Sequence, residues 1–394
     1  MKVIQYCQHV LGIGHLFRSL EICRALSDHE VVLVTGGPRV DANLPAHVRE
    51  VRLPDLQMNH EFKGLYSSQK DSSLELIKRQ RQERLFDLFK NENPDIFLVE
   101  LYPFGRKAFR FELDPVLQAI GDKRLPACRV VCSVRDILVE KEDAAKHELR
   151  AVNTLNRYFD AVLVHADPRL AQINETFARF DEIKIPVIYT GYIAGRPPPN
   201  AGEEMRRRLQ ISRDEILIIA SAGGGNVGAP LLQAVIRAFD RLQVKNRPYL
   251  KVFTGPYLDQ SEFSRLQRLA GRDVEINKFS PDFLAYMAAA DLSVSMGGYN
   301  TTMNILATGV SALVWPFSQN REQRMRASRL AQKGILKIVA DEDLEPDRLA
   351  GVMARALSTA DRQTVGIDLN GAANTATWLD NIGFSPATGR ERPV

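Results

Sequence analysis

Gly297-Gly298-Tyr299-Asn300-Thr301-Thr302 lies between an apolar run that ends at Ser295 and an apolar helical pattern that starts at Met303. Paired glycines let a backbone turn sharply and approach a ligand closely. A helix N-terminus carries N–H groups that its own ladder leaves over, so the segment has the chemistry of a phosphate site. Asn300, Thr301 and Thr302 would add side-chain donors. A second turn, Gly223-Gly224-Gly225-Asn226, follows the strand-like run Ile216-Leu217-Ile218-Ile219-Ala220 and precedes a helical pattern over 229–239. Two strand–glycine–helix units of this kind can share one diphosphate.

Outward from these turns, short apolar runs alternate with helical patterns, the signature of parallel, doubly wound sheets. The first half reads as strands over 3–7, 31–35, 96–100, 129–133 and 161–165, with helices over 16–26, 74–89 and 142–158. The stretch 38–73 is too polar and irregular to assign. The second half reads as strands over 216–221, 250–254, 274–277, 292–295, 312–315 and 336–339. Between the halves, Gly195-Arg196-Pro197-Pro198-Pro199-Asn200 cannot continue a helix or a central strand. The expected organisation is a domain over 1–191, a linker over 192–202, a second domain over 203–360, and a helix with a tail over 361–394 that returns to the first domain.

The 394 residues, 45% apolar and 25% charged, suit two soluble globular domains. A net charge of +4 without a recognition motif excludes a nucleic-acid reading. Neither a signal peptide nor an apolar span is legible, which places the chain in the cytoplasm. Cys7, Cys23, Cys128 and Cys132 lack zinc or disulfide spacing and read as small hydrophobes, so no metal is expected. Lys78, Arg79, Arg81 and Arg84 lead an amphipathic helix whose charges read first as a solvated face. Peripheral contact with anionic headgroups is the alternative.

The segment 279–327 resembles the nucleotide-sugar domain of GT-B glycosyltransferases, close to the peptidoglycan N-acetylglucosaminyltransferase family. Phe279-Ser280 is similar to that family's base-binding loop, and Ala290-Asp291-Leu292-Ser293-Val294-Ser295 before the paired glycines is similar to its phosphate turn. Trp315-Pro316-Phe317 followed by Glu322-Gln323 and Ala327 is similar to its sugar-binding segment. The resemblance extends to 222–228 and to Gly12-Ile13-Gly14-His15, and fades between Arg39 and Gly191. Two positions depart from it: Asn304 stands where the family carries a ribose-binding Glu, and Arg326 stands for its Asn.

The resemblance implies a GT-B fold, two Rossmann-like α/β domains facing a central cleft. It also implies transfer of a sugar from a nucleoside diphosphate, with a UDP-sugar favoured, to an acceptor hydroxyl. That chemistry is inverting, with helix termini in place of a metal, and no cofactor beyond the donor. Gly223, Gly224, Gly225, Asn226 and the segment 297–302 would meet the diphosphate. Phe279, Ser280 and Asn304 would meet the nucleoside, and Glu322 and Gln323 the sugar. His15, which follows a glycine turn and titrates near neutrality, is the candidate base. Glu100 is the runner-up, followed by Asp136 and Asp167, while Gly12, Gly14, Tyr102 and Arg135 fall on the acceptor side. Arg135-Asp136 reads first as a local ion pair, and Arg106 and Arg110 as solvated charges. A nucleotide-sugar epimerase or hydrolase and a non-catalytic sugar-nucleotide sensor are the alternatives.

Overall fold

The computed structural model describes residues 1–9, 14–37, 39, 43–58, 64–67, 73–138, 143–224, 227–359 and 366–384. Gly12, Gly225 and Asn226 lie outside them. The chain divides into two units, Met1–Ile193 with Asn370–Val394, and Ala194–Leu369.

In the first unit the elements run β1 (Lys2–Tyr6), α1 (Gly14–Ala25), β2 (Glu30–Thr35), β3 (Val48–Arg52), β4 (Gln57–Met58), β5 (Leu65–Tyr66), α2 (Leu74–Glu92) and β6 (Ile96–Glu100). They continue with α3 (Arg110–Gly121), β7 (Arg129–Arg135), α4 (Ala144–Tyr158), β8 (Ala161–His165) and β9 (Val187–Tyr189). Among the described residues the sheet order is β3-β2-β1-β6-β7-β8-β9, and each neighbouring pair is parallel. Its central strands read as continuous apolar runs because helices cover both faces. β3 escaped the sequence reading for the opposite reason. It is an edge strand, and Arg49 and Glu50 are exposed.

In the second unit the elements are α5 (Ala201–Arg208), β10 (Ile216–Ser221), α6 (Ala229–Phe239), β11 (Pro248–Phe253), α7 (Gln260–Leu269), β12 (Val274–Asn277), α8 (Phe283–Ala289) and β13 (Leu292–Met296). Then come α9 (Tyr299–Thr308), β14 (Ala312–Trp315), α10 (Arg321–Gln332), β15 (Lys337–Ile338) and α11 (Pro346–Ser358). The strand order is β12-β11-β10-β13-β14-β15, again parallel throughout. Leu231, Val235 and Ile236 of α6 and Leu349 and Met353 of α11 are fully buried in one core with Ile218, Val252, Val294 and Leu313. Burying each such side chain contributes about 1.5–3 kcal/mol.

The last helix, α12 (Gly371–Phe384), belongs to the first unit. Its Ala376 and Leu379 share a buried cluster with Leu16, Leu20 and Cys23 of α1. Asn374 Nδ2 donates to Thr190 O at 2.8 Å, and His29 Nε2 lies 2.7 Å from Asp380. A side chain at Gly371 would overlap the Gly191 carbonyl, so only glycine permits this approach.

Arg81 corrects the reading of α2 as an evenly solvated basic face. Lys78 and Arg79 pair with Glu75 and Glu83 at the surface, whereas Arg81 is fully buried. Its guanidinium makes a two-pronged bond with Glu112, at 2.7 Å on each arm, and donates to Pro54 O at 2.6 Å and Gln8 Oε1 at 2.9 Å. Tyr6 donates to the same carboxylate. A buried charge is tolerated only when paired and hydrogen-bonded in this way. Its partner lies 31 residues away, beyond any local pattern.

Candidate functional site

Both sheets reverse their winding once, and ligands of open α/β sheets bind beyond the strand carboxyl ends at that reversal. In the second unit the reversal falls between β10 and β13, whose ends are register partners, Ser221 opposite Ser295. The two glycine turns therefore leave neighbouring strands, about 5 Å apart. Gly223 has φ +63°, and the turn is braced from β11: Tyr257 N–H donates to Gly224 O at 3.1 Å. Gly255, at φ +84°, lies so close beneath that a Cβ there would overlap Gly223 O. Gly255 N–H donates to Lys278 O at 2.9 Å, which ties this brace to Phe279 and Ser280. Phe279 is 50% exposed.

At the second turn the structure corrects the expected helix start from Met303 to Tyr299. Gly298 is the N-cap residue, and the ladder opens with Thr302 N–H donating to Gly298 O at 3.0 Å. The amides ahead of it are those a helix leaves outside its ladder, and the helix dipole favours an anion before them. Thr302 is not a side-chain donor: it is fully buried and its hydroxyl donates to Tyr299 O at 2.7 Å. Thr301 and Tyr299 are also buried, whereas Asn300 and Asn304 are half-buried. Asn304 lies one helical turn beyond Asn300 on the same face.

Gln323 sits beside this turn, its Cβ in contact distance of any side chain added at Gly297. Its Oε1 accepts from Phe317 N–H at 3.1 Å, which leaves its amide donors for a ligand. Glu322 is 5% exposed and accepts from Arg326 Nη2 at 2.6 Å. Arg326 neither faces solvent nor stands as an uncompensated cation. It is 1% exposed, paired with Glu322 and stacked 5.1 Å over Tyr299. By pattern, Asp341-Glu342-Asp343 resembles a D-x-D metal motif. Here Asp341 accepts from Trp315 Nε1 at 2.7 Å and Asp343 from Ala340 N–H at 3.2 Å, so it is a capping turn.

In the first unit the reversal falls between β1 and β6. α1 begins at Gly14, which puts His15 in its first turn, and Glu100 ends β6. His15 Nδ1 lies 2.8 Å from Glu100 Oε1, and Arg18 Nη2, one turn along α1, donates to the same oxygen. Ser133 Oγ donates to Glu100 Oε2 at 3.1 Å. Burial alone would raise the Glu100 carboxyl, but the Arg18 charge and the His15 hydrogen bond outweigh it and hold it well below the usual carboxylate range. Burial lowers His15, the Arg106 and Arg18 charges lower it further, and Glu100 offsets them in part, leaving its pKa at about 3. Arg18 Nη2 also lies 3.2 Å from His15 Nδ1, but its shorter bond is to the carboxylate. An ionised carboxylate only accepts, so the 2.8 Å contact assigns the imidazole proton to Nδ1 and a lone pair to Nε2. The His15 side chain is 17% exposed and that of Glu100 is sealed.

Other first-unit expectations change. Glu100 is not placed to take a proton from an acceptor, being fully buried and ion-paired. Asp167 is held by Arg169 at 2.6 Å, and Asp136 is fully buried. Tyr102 is 3% exposed with its hydroxyl on Asp114, which also pairs with Arg110 at 3.0 Å, so the phenol faces no acceptor. Arg106 is half-buried at φ 57°, and burial lowers its pKa, so it is no solvated charge. Gly14 and Arg135 are half-buried. Sequence reasoning missed Arg18 and Ser133. The i, i+3 spacing of His15 and Arg18 was the one local signal.

Residues 219–370 match the Glycosyltransferase family 28 C-terminal domain. Over 142 residues the chain is 30% identical to the UDP-N-acetylglucosamine--N-acetylmuramyl-(pentapeptide) pyrophosphoryl-undecaprenol N-acetylglucosamine transferase of Sinorhizobium fredii. That stretch spans 35% of this chain and 38% of the relative. Among solved structures, the calicheamicin glycosyltransferase CalG4 superposes with a TM-score of 0.60 at 17% identity, covering 96% of this chain and 97% of CalG4. MurG of Acinetobacter baumannii gives 0.58 at 15% identity, covering 97% and 100%. The fold is thus the GT-B type, two Rossmann-like α/β domains. The resemblance read from 279–327 falls within the matched domain. Among the described residues no helix is long and apolar enough to cross a membrane.

Proposed function

We propose that this chain, GT-B in fold and similar to a family 28 domain over 219–370, is a glycosyltransferase. In this reading it moves a sugar from a nucleoside diphosphate to an acceptor hydroxyl in the cytoplasm. A uridine diphosphate sugar is the favoured donor, since the relative from Sinorhizobium fredii is named for one. The observation that carries the reading is the pair of glycine turns on register-paired strands, each opening a helix, at the winding reversal of the second unit. Main-chain amides and two helix dipoles suit the charge that grows on a leaving diphosphate, and they need no divalent ion.

Gly223, Gly224, Gly297 and Gly298 take the diphosphate, and the sequence reading adds Gly225 and Asn226 to them. Phe279 and Ser280 take the base and Asn304 the ribose. Gln323 and Glu322 take sugar hydroxyls. His15 Nε2 removes the acceptor proton, with Glu100 holding its ring and stabilising the imidazolium that forms. Direct displacement by that hydroxyl inverts the anomeric centre.

A panel of nucleotide sugars tests this. A UDP-sugar should raise the thermal midpoint, and UDP should be released only when a hydroxyl acceptor is supplied. Release into water alone would mean a hydrolase. Interconversion of the donor without UDP release would mean an epimerase, and binding without turnover a sensor.

A further inference from the structure

Beneath Glu100 lies a row of polar side chains that the transfer chemistry leaves unexplained. Leu98, Val131, Leu163 and Ile188 form one apolar layer on a face of the first sheet. Two residues further along each strand the same face turns polar, with Glu100, Ser133, His165 and Thr190. All four are 2% exposed or less. His165 Nε2 lies 2.7 Å from Ser133 Oγ, and His165 Nδ1 lies 2.8 Å from Thr190 Oγ1.

The polarity of this chain is fixed by its charged end. The Ser133 proton goes to the ionised Glu100 Oε2, so Ser133 accepts from His165 Nε2–H. His165 Nδ1 is then an acceptor, and Thr190 Oγ1, whose other acceptors Gly191 O and Val164 O lie farther off at 3.3 and 3.5 Å, donates to it. Burial and the Arg18 charge hold the His165 pKa at about 3, so the ring stays neutral, as this pattern needs. Apolar side chains of similar volume would fill the same space without the desolvation cost, so stability does not account for the row.

We propose that Ser133 and His165 are positioning residues. Through a one-way chain Thr190 → His165 → Ser133 → Glu100 they fix the carboxylate that holds His15 with Nδ1 protonated and Nε2 bare. This rests on the reading of His15 as the base. Filling Oε2 from one side stops the carboxylate from rotating, so its other oxygen stays on His15 and Arg18.

The test is ¹⁵N NMR of histidine-labelled full-length chain, with turnover measured alongside. In the wild type His15 should show a single tautomer with Nδ1 protonated. In Ser133→Ala it should become a mixture, and turnover should fall on the order of tenfold with the KM for the UDP-sugar unchanged. Thr190→Val, nearly isosteric, should act in the same direction from the far end, and it carries the test should Ser133→Ala not fold. An unchanged His15 tautomer and unchanged turnover in a folded variant would overturn the chain. His15→Ala run in parallel separates the two readings. Full turnover in that variant removes His15 as base, whereas lost turnover with inert Ser133 and Thr190 variants removes only the relay.

Discussion

The two units place their candidate groups at the same topological point and build them from opposite materials. In the second, the groups that suit a diphosphate are main-chain amides at Gly223–Gly224 and Gly297–Gly298, and Gly223, at φ +63°, holds a backbone angle that only glycine adopts freely. In the first, they are side chains drawn from α1, β6, β7, β8 and the residue after β9, locked in a buried ionic network. A main-chain site should tolerate changes of nearby side chains and fail when a glycine gains a Cβ. A side-chain site should lose chemistry one residue at a time and respond to pH.

The largest effect expected is at His15. His15→Ala should lower kcat about 10²–10⁴-fold while UDP affinity, measured by calorimetry, stays within a factor of two or so. Equal losses in both quantities would erase the division of labour between the units. Next is the buried pair: Arg81→Met strands the Glu112 carboxylate and should cost about 3–5 kcal/mol in urea unfolding. Adding Glu112→Leu should recover most of that loss. A small single-variant loss would show that the network is wetter than its burial implies.

The pH response follows from the histidines. His15 and His165 are held at about 3, far below the ordinary value of about 6.5, so between these limits the unfolded chain binds more protons than the folded one. Their contribution is complete above about pH 6.5 and is lost as pH falls toward 3, at roughly 1.4 kcal/mol per pH unit for each. Glu100, held low, adds its own loss once pH falls below the ordinary glutamate value of about 4.3 and on toward its folded value. Denaturant midpoints at pH 7.5 and 5.5 check this, and a flat profile would contradict the buried-neutral assignment. For the same reason kcat/KM should show no acid limb near pH 6.5. The smallest effect is at the proposed ribose contact: Asn304→Glu introduces a charged acceptor and should tighten UDP binding by about threefold to tenfold.

What could be read from sequence follows the same contrast. β10, β12, β14 and α6 were legible to their ends, because buried parallel strands are unbroken apolar runs and glycines punctuate them. The donor turns inherit that legibility, being local in sequence. β3 was not legible, since an edge strand carries Arg49 and Glu50 outward. Nor was the role of Glu100, read as a free strand-end acid because its partners Arg18 and Ser133 lie 82 and 33 residues away. Arg81 misled for the same reason, its surface-like spacing on α2 hiding a partner on α3. Thr302 looked like a phosphate donor until the helix was found to begin three residues before it.

The central claim is that main-chain amides of the second unit hold a nucleoside diphosphate. Hydrogen exchange with and without saturating UDP tests it most directly, in the wild type and in Gly255→Ala, whose added Cβ would push into Gly223. The account predicts slowed exchange in peptides carrying Gly223–Gly224 and Gly298–Thr301, together with loss of that protection in a folded Gly255→Ala. Protection confined to other segments, or UDP binding unaltered by the Gly255 change, would contradict it.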